Sequence, residues 1–286
     1  MTTPRFTAAA IQMRSTKNPL QNRDDAVSMI RDAASRGATY IQTPEISNIV
    51  NRERAELMAS ISTEADDPML ASLRELAKDK RITIHIGSLA VKNGDKIANR
   101  AFLISPDGEI AARYDKIHLF DVDLPNGETW RESNTFTGGS DAIAVDINGA
   151  RLGMAICYDV RFAYLFRALA DAGCNLLSAP ACFTKQTGEA HWNILQRARA
   201  IENGAFMISA AQGGTHEDGR ETFGHSIIVD PWGTVLAEAD DKPGVILAEI
   251  DMQKVSDARG RIPALRHTRP ISVRVIENTK SKERAA

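Results

Sequence analysis

Cysteine is scarce in this sequence. Only Cys157, Cys174 and Cys182 occur in 286 residues, and an odd, low count excludes a disulfide framework. No two of them form a CxxC pair, which removes thiolate zinc sites of the usual spacing. The six histidines show no HExxH or similar helical ligand spacing. A Walker-type phosphate loop is missing, and so is a GxGxxG turn after a strand. No apolar run approaches the roughly 20 residues needed to span a bilayer. The opening MTTPRFTAAAIQM has too short an apolar stretch, and the wrong order of parts, for a secretory leader. Charge of one sign is lacking too. The formal net charge is −2, which gives no electrostatic reason to expect nucleic acid or an anionic membrane as a partner. These absences place the chain in the cytosol and leave its chemistry to side chains alone, with no metal and no cofactor.

What is present is ordinary for a globular protein: 43% hydrophobic and 25% charged residues. The length suits one large domain or two small ones. With no internal repeat and no separating linker, the reading is one domain over 1–286, with 277–286 (ENTKSKERAA) a solvated tail.

The N-terminal third alternates strands and helices. Phe6 to Met13 is an apolar run suited to a buried strand. Val27, Ile30 and Ala34 recur at helical spacing, and Gly37 ends that helix. Ala38 to Gln42 is a second strand, stopped by Thr43-Pro44. Leu70, Leu73, Leu76 and Ala77 mark a second helix, and Ile82, Ile84 and Ile86 an alternating strand. Asn99 to Ser105 and Glu109 to Tyr114 are joined by a Pro106-Asp107-Gly108 turn. After an irregular stretch, Leu152, Met154 and Ile156 share one strand face and Gly153, Ala155 and Cys157 the other. Phe162, Leu165, Phe166 and Leu169 form a helical stripe closed by Gly173. Asn175 to Ala179 is a strand, and Thr187 caps a helix running to about Glu202. Ala205 to Ala211, Gly224 to Val229, Val235 to Glu238 and Gly244 to Ile250 complete the pattern, the last three separated by turns as in antiparallel pairing. Strand–helix alternation with some hairpins predicts an α/β protein with one or two mixed sheets.

Cys157 closes the strand RLGMAIC, and a helix is expected two or three residues later, with Asp159 as its N-cap. A cysteine at such an elbow faces backbone N–H groups of the first turn, an environment that favours a thiolate and binds a developing oxyanion. A free cysteine also packs as a small hydrophobe, so position alone does not make it a nucleophile. Glu45 follows Pro44 at the carboxyl end of a strand, where α/β sheets place their sites. A carboxylate there can take a thiol proton and return it to a leaving amine. Lys116, in RYDKIHLF, can hold positive charge beside a reacting carbonyl. Taken alone, each also reads as an ordinary surface group.

The three segments TPE (43–45), RYDKIHLF (113–120) and CYDVRF (157–162) resemble, in order and in wide spacing, the signature blocks of the nitrilase superfamily, the carbon–nitrogen hydrolases. GEAHWNILQRARAIEN (188–203) and GHSIIVDPWGTVL (224–236) resemble it as well, so the likeness runs from about residue 5 to about residue 270. The resemblance implies an alpha-beta-beta-alpha sandwich, a four-layer fold with two mixed sheets, and homo-oligomers of dimer size or larger. It implies that Glu45 is the general base, that Cys157 attacks the amide carbon to form a thioester, and that Lys116 and the backbone N–H of Tyr158 stabilise the tetrahedral intermediates. A second glutamate is implied after the lysine block. Glu128 and Glu132 both fit, and RES before a Gly-containing turn favours Glu132, which would orient Lys116 and the attacking water.

Within the superfamily the likeness is to the branch of omega-amidases and deaminated glutathione amidases. AAQGGTHEDGRETFGHSIIVDPWG (210–233) leans to the latter. The implied reaction releases ammonia from a terminal amide of an α-keto dicarboxylic acid. N-carbamoyl amino acid or nitrile hydrolysis on the same triad is the nearest alternative, and an inactive binding protein is an alternative of another class. An anionic substrate calls for a guanidinium. Arg161, in the first helical turn, is one reading, and a surface arginine paired with Asp159 or Glu202 is the other. Phe183 lines the same pocket or packs in the core. Trp130 rims the pocket or lies on an exposed loop. His118 has no partner legible in the sequence, His191 and Trp192 read as packing or positioning residues, and Cys174 and Cys182 read as structural.

Overall fold

The computed structural model describes residues 3–125 and 127–276; the expected tail, 277–286, lies outside the described residues. In chain order the first half comprises β1 (Arg5–Gln12), α1 (Pro19–Ser35), β2 (Tyr40–Gln42), α2 (Arg54–Ser60), α3 (Pro68–Lys80), β3 (Thr83–Asn93), β4 (Lys96–Ile104), β5 (Ile110–Asp115), β6 (Asp121–Asp123), β7 (Thr129–Arg131) and β8 (Phe136–Thr137). The second half comprises β9 (Ile143–Ile147), β10 (Ala150–Met154), α4 (Ala163–Asp171), β11 (Leu176–Ser178), α5 (Lys185–Asn203), β12 (Phe206–Ser209), β13 (Gly213–Thr215), β14 (Glu221–Phe223), β15 (Ile227–Val229), β16 (Val235–Glu238), β17 (Gly244–Asp251) and α6 (Gln253–Arg261).

Two mixed sheets result. One runs β17-β1-β2-β3-β4-β5, with β8 beside β4; the other runs β16-β15-β12-β11-β10-β9. Each has three parallel strands at its centre, β1-β2-β3 and β10-β11-β12, because helical crossovers return the chain in the same direction. Antiparallel strands flank them. The last strand departs from the expected hairpin series. β17 leaves its neighbours in sequence and pairs with β1 along its whole length, closing the edge of the first sheet.

Strand alternation sorts the side chains into layers. On β1, Ala8 and Ala10 face a core shared with Leu152, Met154, Leu176 and Ile208 of the other sheet. Ala9 and Ile11 face a second core with Ala26, Ile30 and Ala33 of α1 and Leu70 and Leu73 of α3. α4 and α5 cover the outer face of the second sheet: a Cβ at Gly153 would lie 3.0 Å from Leu169 of α4. The order of layers is helix, sheet, sheet, helix, the sandwich that the resemblance implies.

Helix ends follow their local chemistry. Asn18 accepts from the N–H groups of Leu20 and Gln21 at the start of α1, and Pro19 fills its first turn. Asp67 does the same for Leu70 in α3. α5 starts at Lys185, two residues before the expected cap Thr187, whose hydroxyl instead bonds that of Thr184 at 2.7 Å.

Candidate active site

Three loops at carboxyl ends of strands carry the expected residues. Glu45 follows β2, Lys116 follows β5, and Cys157 lies three residues past β10. They meet in a cavity of ≈ 430 Å³, which Glu132 also lines. Glu45 and Lys116 are 4% and 2% exposed, and Cys157 is 7% exposed. The Lys116 ammonium lies 2.8 Å from Glu45 Oε1 and 2.8 Å from Glu132 Oε2. Glu132 Oε1 lies 3.1 Å away as well, so the two carboxylates engage the ammonium through three oxygens. Glu45 also accepts from Asn99 Nδ2 at 2.8 Å and from the Cys182 N–H at 2.7 Å, and the Cys157 thiol lines the same cavity. Of the two glutamates considered for the second acidic position, Glu132 touches Lys116. Glu128 pairs with Arg52 at 3.0 Å.

The electrostatics follow from burial and from the charge count. Burial pushes the Glu45 carboxyl up, but the Lys116 ammonium and the hydrogen bonds from Lys116, Cys157 and Asn99 outweigh it and hold it below the usual carboxylate value. Burial opposes the charged form of Lys116 too, and Glu132, Glu45 and Cys157 overcome this to raise it well above an ordinary lysine. The Cys157 thiol is pushed well above its usual value, first by burial and then by Glu45, against the pull of Lys116. The expectation that the elbow favours a thiolate is therefore corrected. The resting pair is a thiol beside a carboxylate, because one ammonium already serves two carboxylates.

The elbow itself is present in a tighter form. Ile156 is extended and Cys157 turns at φ +49 into a 3-10 turn, Cys157–Arg161, before α4 begins at Ala163. A left-handed non-glycine residue is held at a cost on the order of 1–3 kcal/mol, as is common at functional sites. Asp159 does not cap α4, as was expected. It is fully buried and accepts from Ile156 N–H (2.9 Å), His118 N–H (3.0 Å) and the Tyr114 hydroxyl (2.6 Å). His118, whose partner the sequence did not reveal, bonds Asp159 through Nδ1 at 2.6 Å and stacks on Phe162. Asp159 thus ties the cysteine turn to the lysine loop.

Gly87 in β3 fixes how closely two of these loops approach. A Cβ there would fall 2.1 Å from the Thr43 carbonyl oxygen and 2.6 Å from Pro180 Cβ. Thr43 leads into Glu45, and the Pro180 carbonyl accepts the Cys157 N–H at 2.9 Å. Gly87→Ala is expected to separate them, lowering Tm by on the order of 5 °C and kcat by roughly tenfold or more. Calorimetry with steady-state kinetics checks this; unchanged kcat would contradict it.

The remaining expected residues are placed unevenly. Tyr158 and Phe183 line the cavity; Arg161 is not among the lining residues. Its guanidinium lies 5.9 Å from the Tyr158 ring, 5.3 Å from the Phe183 ring and 3.2 Å from His191 Nδ1. It pairs with neither Asp159 nor Glu202. Asp159 is engaged as above, and Glu202 bonds Arg199 at 2.7 Å. Trp192 is fully buried and donates to His225 O, as a packing residue does. Cys174 is buried away from the cavity lining, with its thiol pushed up to about 11 by burial. Cys182 is not merely structural, because it lines the cavity and holds Glu45 by its N–H. Trp130 is part of the wall. Sequence reasoning missed Asn99 and Arg220. Asn99 Nδ2 bridges Glu45 and Glu132 (3.2 Å to the latter). A polar residue inside the apolar run of β4 was the available signal. Arg220 lines the cavity beside Trp130.

The sequence matches the carbon–nitrogen hydrolase family over residues 7–260. The chain belongs to that family and is an amide-hydrolysing enzyme. It is 39% identical over 269 residues to a deaminated glutathione amidase of Synechocystis sp., covering 92% of this chain and 97% of that one. It is 35% identical over 264 residues to the omega-amidase NIT2 of Homo sapiens, covering 92% and 95%. Among solved structures, the NitFhit protein of C. elegans superposes with a TM-score of 0.87 at 36% identity, covering 94% of this chain and 66% of that one. Nit3 of Saccharomyces cerevisiae, described as a member of branch 10 of the nitrilase superfamily, superposes with a TM-score of 0.82 at 25% identity, covering 91% and 95%.

Proposed function

We propose that this enzyme hydrolyses a small carboxylated amide, an omega-amide of an α-keto acid such as deaminated glutathione or α-ketoglutaramate, through a thioester on Cys157. The observation that carries the reading is the meeting of an ionised Glu45, an ammonium at Lys116 and the Cys157 thiol in one cavity.

In this reading Glu45 takes the Cys157 proton as sulfur attacks the carbonyl carbon. A buried thiol beside a carboxylate reacts only with such help. The oxyanion is met by the positive charge of the Lys116 ammonium and by the backbone N–H of Tyr158. Collapse breaks the carbon–nitrogen bond, and Glu45 passes its proton to the departing amine. The amine is ammonia for a terminal amide and a larger amine for a substituted one. Water then gives a proton to Glu45 and attacks the thioester, and the same proton returns to sulfur as the acid leaves. Glu132 holds Lys116 in place, and its contacts to Lys116, Asn99 and the Phe120 N–H fix its own position. In this reading Phe183 packs against the acyl portion, and Arg161 supplies positive charge for its carboxylate from behind the Tyr158 and Phe183 rings.

The pH profile follows from the same groups. Glu45 must be ionised in the free enzyme, and it titrates below the usual 4.5. Cys157 stays a thiol well past 9.0 and Lys116 charged well past 10.5. We therefore expect kcat/KM to be flat from about pH 5 to about pH 9, with an acid limb below 4.5. A basic limb near neutrality would mean that a thiolate–imidazole type of pair, not this one, does the chemistry.

The substrate test is a panel of deaminated glutathione, α-ketoglutaramate, an N-carbamoyl amino acid and a simple nitrile. Turnover of the keto-acid amides above the others is expected. Preference for the carbamoyl compound would overturn the substrate class, and binding without turnover would overturn the enzymatic reading. A cytoplasmic homo-oligomer belongs to this proposal. The support for association is the exposed apolar set Ile271, Val273, Val275 and Ile276 near the end of the described chain, and light scattering would check the oligomer.

A further inference from the structure

We infer that Arg220 and Trp130 form a subsite for a carboxylate carried by the leaving amine, which makes Arg220 a specificity-determining residue of this enzyme. The inference rests on the amidase reading above and deepens it.

Two buried donors in the cavity wall, Arg220 Nε and Trp130 Nε1, have no hydrogen-bond partner. Buried N–H groups are nearly always paired, so two orphans on one wall mark a place where an acceptor belongs. The guanidinium lies 4.6 Å from the centre of the indole ring. Arg52 also lies over that ring, at 4.7 Å, and fixes it further.

Charge points to an anion. Two other guanidiniums of the wall have close carboxylates: Arg52 has Glu128 at 3.0 Å, and Arg131 has Asp123 at 2.8 Å. Among the described residues Arg220 has one carboxylate within 4.0 Å, Asp218 at 3.8 Å, and Asp218 Oδ2 is itself buried without a hydrogen bond. That pair is too long for a charge-assisted bond, so the guanidinium keeps its capacity for a carboxylate. The antiparallel hairpin β13–β14 brings it there, with Thr222 of β14 bridged to Thr184 beside the cavity.

Position identifies which end of the substrate is held. The leaving nitrogen must lie next to Glu45, which protonates it. Glu45 Oε2 accepts the Cys182 N–H at 2.7 Å, and the same residue's Sγ lies 3.6 Å from Arg220 Nη1. One residue therefore spans from the proton donor to the guanidinium. Whatever is attached to the leaving nitrogen passes Cys182 and reaches Arg220. In the overall reaction water adds across the amide, giving the keto acid and a free amine that bears its own carboxylate; no other reactant is needed.

A matched pair tests this: deaminated glutathione, with its terminal glycine carboxylate, and the same compound with that carboxylate converted to a carboxamide. The native enzyme is expected to favour the carboxylate by roughly 10- to 100-fold in kcat/KM, the worth of a hydrogen bond to a charged group. Arg220→Gln is expected to bring the ratio to within about threefold of one, and Arg220→Lys to an intermediate value. A ratio near one in the native enzyme, which requires no variant to fold, would overturn the inference. So would equal losses on both compounds in Arg220→Gln. If the native enzyme turned over neither compound nor α-ketoglutaramate, the amidase reading itself would fall.

Discussion

Cys157→Ala is expected to lower kcat by on the order of 10^4-fold or more while leaving Tm within a few degrees. The sulfur is the atom that bonds to the substrate carbon, and no other group in the cavity stands ready to replace it. Cys182 lines the same wall, but it meets Glu45 through its backbone N–H and its sulfur is turned to Arg220, so Glu45 does not serve it as a base. Serine is no substitute either. A hydroxyl is far less acidic than a thiol, and Glu45, held below the usual carboxylate value, is a weak base. The fold has little at stake in this side chain, since alanine keeps the same backbone restriction at φ +49. Kinetics and melting of the purified variant check both halves. Residual turnover within tenfold of the native rate would remove Cys157 from the nucleophile's role.

Lys116→Met carries the second large effect, and it falls on stability as well as rate. Loss of the ammonium removes a donor for the oxyanion, expected to cost roughly 10^2- to 10^3-fold in kcat. It also leaves Glu45 and Glu132 facing each other with no cation, where breaking a buried pair costs about 3–5 kcal/mol. The sign of the pH dependence then reverses. In the native protein Glu45 is depressed, so its contribution to stability is complete above the ordinary carboxylate value and is lost as pH falls through the folded one. In the variant, burial and mutual repulsion raise the carboxyls above their unfolded values. Stability is then greatest below those values and is lost as pH rises through the folded ones. Melting curves at pH 5 and pH 7.5 should therefore show the variant more stable at the lower pH. A variant whose Tm rises with pH over that range would mean that the ammonium does not hold the two carboxylates together.

Much of the fold was legible in the sequence. An apolar run located β1, helical periods located α1, α3 and α4, and alternating runs located β3 and β10. Pairing was less legible: Gly244 to Ile250 reads as one more hairpin strand, yet it crosses to the first sheet, a choice made by the packed core and not by the local turn. Glu45, Lys116 and Cys157 could be found because three short blocks name them. Asn99, Cys182 and Arg220 could not. Asn99 acts through a tertiary contact with two carboxylates distant in sequence. Cys182 acts through its backbone, which no side-chain motif encodes. Arg220 sits in HEDGRETF, which reads as a solvated turn until the hairpin folds over the cavity. The thiolate expectation failed for a related reason. The helix-start argument weighs one local dipole, whereas burial and a second carboxylate on Lys116 decide the balance.

The central claim is covalent: the acyl group of the substrate passes through sulfur at residue 157. Rapid-quench intact-mass measurement during turnover, followed by peptide mapping, tests it directly. The account predicts a transient mass increase equal to the acyl portion, located on the peptide that contains Cys157 and discharged by hydroxylamine. Full turnover with no adduct at any time, in an enzyme whose Cys157→Ala variant also remains active, would contradict it.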